Sequence, residues 1–141
     1  MWGSVVTDAA IVYGTLRAGH FNARLWEGKA DSHRGWLSGY RLYGVAGLGF
    51  PIVRQTGAMS DRVRIEVIRW RSQRDAIEGI RRLDWLEGVP TLYRRVEETV
   101  DLDDGSVATG WLYVPSSRSL VKGSYWIPSN DWDIAKSKSR T

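Results

Sequence analysis

A chain of 141 residues suits one domain with one core, and 43% hydrophobic with 26% charged residues is the balance of a soluble globular protein. The absence of cysteine excludes disulfides, thiolate metal centres and cysteine nucleophiles. The net charge of +4 is read as an arginine-rich solvated surface plus the basic KSKSR tail. A polyanion-binding face would draw on Arg62, Arg64, Arg69 and Arg71, but no recognition-helix motif accompanies them, so nucleic acid is not an expected partner.

The opening MWGSVVTDAA lacks a basic n-region and meets Asp8 before any long apolar run, so it does not read as a signal peptide. No stretch approaches the roughly 18 apolar residues of a membrane span, and a cytoplasmic setting is expected. Residues 9–14, AAIVYG, are short, apolar and β-branched, which predicts a buried strand. Thr15 to Gly28 predicts a loop or short helical turn with Leu25 and Trp26 packed inward. The aromatic and glycine mixture at 33–45 predicts a bent strand or hairpin, and GLGFP at 47–51 a loop. In 61–70, Val63, Ile65 and Val67 alternate with Arg62, Arg64 and Glu66, predicting one buried and one charged face.

The period then changes. Ile77, Ile80, Leu83 and Leu86 recur at helical spacing after Ser72, a candidate N-cap with Asp75 three residues on, and Gly88 and Pro90 end the helix. Residues 91–102 and 107–115 predict two strands around an Asp104-Gly105 turn. Trp85 and Trp111 are expected in the core, with Trp126 and Trp132 anchoring the C-terminal segment. The whole reads as an α+β fold: a small mixed β-barrel or curled sheet with one main helix and short flanking helices. One domain is expected over 1–134, followed by a basic, disordered tail at 135–141.

Familiar chemical motifs fail. GVAGLG at 44–49 departs from the dinucleotide fingerprint, and no P-loop or nucleophile elbow is present. DLDDG at 101–105 lacks the third acid and the flanking helices of a calcium loop. His20 and His33 have no metal-ligand companions, so no metal site is expected. A carboxylate must lead any enzymatic hypothesis.

Two places stand out. Gly14-Thr15, ending a buried strand, either presents backbone N–H groups as a small anion nest or simply makes a tight turn. Glu87, closing an apolar helix, is either a solvated residue or, if buried, a base of raised pKa. Tyr13-Gly14-Thr15-Leu16-Arg17, with Gly19 and Asn22, resembles the opening signature of the gamma-glutamylcyclotransferase-like family. GYRLYGV at 39–45, GFPIV at 49–53, LDWLEGVPTLYRR at 83–95, GWLYV at 110–114 and SNDW at 129–132 follow in that family's order.

The resemblance implies a cofactor-independent cyclotransferase that converts a gamma-glutamyl amine or amide to 5-oxoproline and a free amine. It implies Glu87 as general acid/base and Tyr13, Gly14, Thr15 and Leu16 as the substrate cradle. Tyr93 matches the family's block tyrosine, and Tyr113 is a further pocket candidate. Arg17 and Asn22 are assigned to holding the first loop. Ile65 stands where the family usually has glycine, which would narrow or reshape the pocket. The expected partner is a small-molecule gamma-glutamyl substrate and the expected state a monomer. The alternative is a non-catalytic protein on the same fold that sequesters a small anion or nucleotide-like ligand.

Overall fold

In a computed structural model the described residues are 7–116 and 121–139. The first six of the opening residues read for a leader fall outside that set, as do the last two of the tail. Five strands form a closed barrel in the order β1, β5, β2, β6, β7. They are β1 (Ala9–Val12), β2 (Ala30–Ser38), β5 (Arg62–Trp70), β6 (Tyr93–Leu102) and β7 (Val107–Pro115). All pairings are antiparallel except the parallel contact of β1 with β7, Ala10 beside Trp111 and Ile11 beside Leu112. That pairing closes the ring. A second sheet has the order β4 (Pro51–Gln55), β3 (Tyr40–Val45), β8 (Ser124–Trp126).

The two-residue period sorts each barrel strand into an inside and an outside. Inside are Ala9 and Ile11 of β1, Val63, Ile65 and Val67 of β5, and Leu112 of β7. Leu42 and Val53 of the second sheet, with Trp132, join the same core. Outside, Ala10, Val12, Ile68, Trp70 and Tyr113 meet Ile80 and Leu83 of α1 (Gln73–Leu86). The helix thus lies across the strands that carry the ring closure. Ser72 caps it as expected, its Oγ accepting from the Asp75 N–H at 3.1 Å.

Where β2 crosses from β5 to β6 it pairs with β6 only at Gly35 and Trp36. A Cβ on Gly35 would sit 2.4 Å from the Asp101 carbonyl oxygen, so this seam tolerates no side chain.

Several expectations are corrected. The outward face of β5 is solvated only at Arg62: Arg64 and Glu66 are both buried, because chain distant in sequence covers them. Of the helical apolar series, Ile80 and Leu83 are buried, but Ile77 is 55% and Leu86 38% exposed. Trp85 is 85% exposed, since it falls on the helix face turned away from the barrel. Trp111 is half-buried under the Arg95 guanidinium, 4.6 Å from the ring centroid. The stretch taken as loop to residue 51 yields to a strand at Pro51, which pairs with Gly44. Between 33 and 45 there are two strands broken at Gly39. The tail expected to be disordered from 135 continues a helix, α2 (Trp132–Ser139), because buried Trp132 roots its first turn. Among the described residues no helix is long and apolar enough to cross a membrane.

Candidate active site

A cavity of about 400 Å³ opens between the turn after β1, the C-terminal end of α1 and the starts of β4 and β6. All seven residues singled out in the sequence, Tyr13, Gly14, Thr15, Leu16, Glu87, Tyr93 and Tyr113, line it. Residues far apart in the chain therefore converge on one volume.

The Gly14–Arg17 turn is closed by the Arg17 N–H donating to the Gly14 carbonyl at 3.0 Å. The Thr15 carbonyl accepts from the Asn22 N–H, the Thr15 hydroxyl from the Asn22 amide at 2.9 Å, and the Leu16 carbonyl from the Trp26 indole at 2.7 Å. The carbonyls are engaged from the loop side. Among the described residues, the N–H groups of Thr15 and Leu16 have no hydrogen-bond acceptor. Both donors belong to a braced turn that lines the cavity. Gly14 is required for a neighbour already present: a Cβ there would lie 2.7 Å from Pro51 Cδ.

Glu87 is the C-cap of α1, its N–H donating to the Leu83 carbonyl, and Gly88 follows at φ 64°, which turns the chain out of the helix. The carboxylate is half-buried and has no hydrogen-bond or ion-pair partner among the described residues. Burial pushes its pKa up to about 7, against 4.5 for an ordinary glutamate. Its charge reaches the surrounding phenols. Burial, and then Glu87, hold the Tyr93 hydroxyl above its usual range; burial, then Tyr93 and Glu87, do so for Tyr13. These tyrosines are neutral donors, not bases.

Two of the three phenols are committed. Tyr13 Oη donates to the Tyr113 carbonyl at 2.8 Å, and Tyr113 Oη to Asp84 Oδ1 at 2.7 Å. Asp84 in turn pairs with Arg95 at 2.9 Å, so α1, β6 and β7 are pinned together beside the cavity. Tyr93 Oη has no hydrogen-bond partner among the described residues.

The profile of the family described as "Gamma-glutamyl cyclotransferase, AIG2-like" matches residues 10–134. The chain belongs to this family. A search of curated proteins finds no match. Among solved structures, a Pyrococcus horikoshii protein (PH0828) is 26% identical with a TM-score of 0.67, the match covering 94% of this chain and 95% of that one. An AIG2-like protein of Mus musculus is 19% identical with a TM-score of 0.63, covering 84% and 85%. YkqA of Bacillus subtilis is 20% identical with a TM-score of 0.70, but this chain covers only 43% of it.

Within this cyclotransferase-family fold the structure adds walls that sequence reasoning missed. Phe50 and Pro51 reach the cavity from the second sheet, and the GFPIV motif carried the signal for them. Leu86 and Leu92, legible in the sequence as apolar neighbours of Glu87, flank it in the wall. Ile65, expected to reshape the pocket, is instead fully buried inside the barrel opposite Gly35 and lies off the cavity.

Arg17 holds the loop from beneath. Fully buried, it reaches Glu66 at 2.9 Å, Asp131 at 3.1 Å and Asp133 at 2.9 Å. The second Glu66 oxygen accepts from the Ala18 N–H at 2.8 Å. A second cavity, of about 280 Å³, lies against Tyr40 and Glu98 and shares none of the seven residues. Its polar pair is self-satisfied, Tyr40 Oη donating to Glu98 at 2.6 Å.

Proposed function

We propose that the protein is a cyclotransferase that converts a gamma-glutamyl amine or amide to 5-oxoproline and the free amine, with Glu87 as acid and base. The observation that carries this reading is a half-buried carboxylate of pKa about 7 in the same cavity as the N–H donors of Thr15 and Leu16, all three without a partner among the described residues.

The substrate carboxylate or the developing oxyanion takes the Thr15 and Leu16 N–H groups. Glu87 accepts a proton from the substrate's alpha-ammonium, and the freed amine attacks the gamma-carbonyl carbon. The tetrahedral intermediate collapses by breaking the bond to the original gamma-nitrogen; Glu87 returns its proton to that nitrogen, and the second proton lost by the ring nitrogen leaves with the released amine as its ammonium. Atoms balance without water, metal or a protein nucleophile. Both reacting groups belong to one molecule, so the walls need only hold the folded rotamer. Good intramolecular orientation contributes on the order of 7–11 kcal/mol.

The test is 5-oxoproline release from a panel of gamma-glutamyl amides, run beside Glu87→Gln. Product from the wild type and a loss of at least about a hundredfold in the variant sustains the reading. A folded wild type that is thermally stabilised by small anions, yet releases no 5-oxoproline, would overturn it in favour of a sequestering protein.

A further inference from the structure

We propose that the amine released from the gamma-glutamyl group bears an uncharged, apolar substituent, an alkyl or aryl amine; the inference rests on the reaction proposed above and specifies its substrate class. Burial divides the cavity into a floor and a mouth. Tyr13, Tyr93 and Tyr113 of the floor are at most 8% exposed, whereas Leu86 is 38% and Leu92 45% exposed. Phe50, half-buried, stands with these leucines in the wall.

The proposed chemistry fixes which part of the substrate meets the mouth. The leaving nitrogen must come within reach of Glu87 to receive its proton. Leu86 precedes Glu87 in the chain, and Leu92 is folded back onto the same turn, its N–H donating to the Gly88 carbonyl at 2.9 Å. A substituent on that nitrogen therefore lies against the leucines.

A charged substituent has no counterpart there. Among the described lining residues Glu87 is the one charged side chain. No arginine or lysine stands ready for a leaving-group carboxylate, and no second acid for a leaving ammonium. Of the polar wall side chains, Asn22 and Thr15 bond each other, the Tyr13 and Tyr113 hydroxyls are committed elsewhere, and the Tyr93 phenol is a neutral group. A charge brought here is desolvated without compensation, and the +4 molecule repels a cationic substrate from afar. An apolar substituent buries its surface against leucine. Removing on the order of 80–100 Å² from water corresponds to about 30- to 70-fold in affinity.

The experiment compares kcat/KM for gamma-glutamyl-benzylamide, gamma-glutamyl-glycine and the gamma-glutamyl amide of the lysine ε-amine, read as 5-oxoproline. We expect the benzylamide to lead both others by at least about tenfold. Equal values, or a charged amide in the lead, would overturn the inference. In Leu92→Ser the benzylamide-to-glycine ratio should fall at least about fivefold, and an unchanged ratio in a folded variant counts against the proposal. Should Leu92→Ser fail to fold, the wild-type series decides alone. If no amide yields 5-oxoproline, the proposed reaction fails, and dissociation constants of the three amides then judge the pocket. Tighter benzylamide binding would sustain the apolar mouth; equal affinities would end it.

Discussion

Glu87 owes its pKa to position. Burial raises it: Leu86 and Leu92 limit its water, and among the described residues no cation compensates. Two consequences can be measured. Turnover should rise as the base ionises, with an inflection near pH 7 in kcat/KM that Glu87→Gln abolishes. The linkage has the opposite sign to that of a salt-bridged acid. Between about pH 4.5 and 7 the folded state holds a proton that the unfolded state has released, so wild-type stability declines across this window and is flat above it. Chemical denaturation of Glu87→Gln should lack that decline, which is about 2 kcal/mol after allowing for partial exposure. At Gly14 the limit is steric. Gly14→Ala drives a methyl into Pro51 and should cost about 1–3 kcal/mol in thermal unfolding, with most of the 5-oxoproline activity lost; a second change, Pro51→Ala, should recover part of both.

At the level of the strand and the loop, β5 shows what periodicity can hide. Alternation over 61–70 correctly assigned Val63, Ile65 and Val67 to the interior, and the helix after Ser72 was legible from its cap and its spacing. Alternation could not reveal that Arg64 and Glu66 on the opposite face are buried too, because their cover arrives from Arg17 and from Asn130-Asp131, whose carbonyl and carboxylate are placed only by the finished fold. The cavity was legible for a different reason. Its residues sit in compact motifs, Tyr13 to Leu16 and Glu87 to Tyr93, whereas the apolar wall from Phe50 and Pro51 depends on a second sheet whose placement no local pattern encodes. Arg17→Met tests the strand-and-loop coupling. Removing the guanidinium strips Glu66 and Asp131 of their direct ion-pair partner, and the loss should be about 3–5 kcal/mol in urea unfolding.

The barrel as a whole is held by seams between distant segments, and a curled sheet was foreseeable where its strand order was not. The β1–β7 pair joins residues about a hundred positions apart, and the β2–β6 crossing relies on the missing side chain of Gly35. Gly35→Ala would push the seam apart against backbone, with an expected loss of about 1–3 kcal/mol and a single cooperative transition that fluorescence and far-UV dichroism should report at the same midpoint.

The span of the Arg17 cluster also bears on how the chain is made. During synthesis the Gly14 turn leaves the ribosome early, while the acids that neutralise Arg17 from the far side, Asp131 and Asp133, are translated more than a hundred codons later. Until then a guanidinium destined for full burial has only Glu66 to meet it, and β1 lacks its parallel neighbour until β7 is made. The nascent chain must therefore wait, largely complete yet with its pocket turn unsupported, and the β1 edge is open to mispairing until β7 arrives.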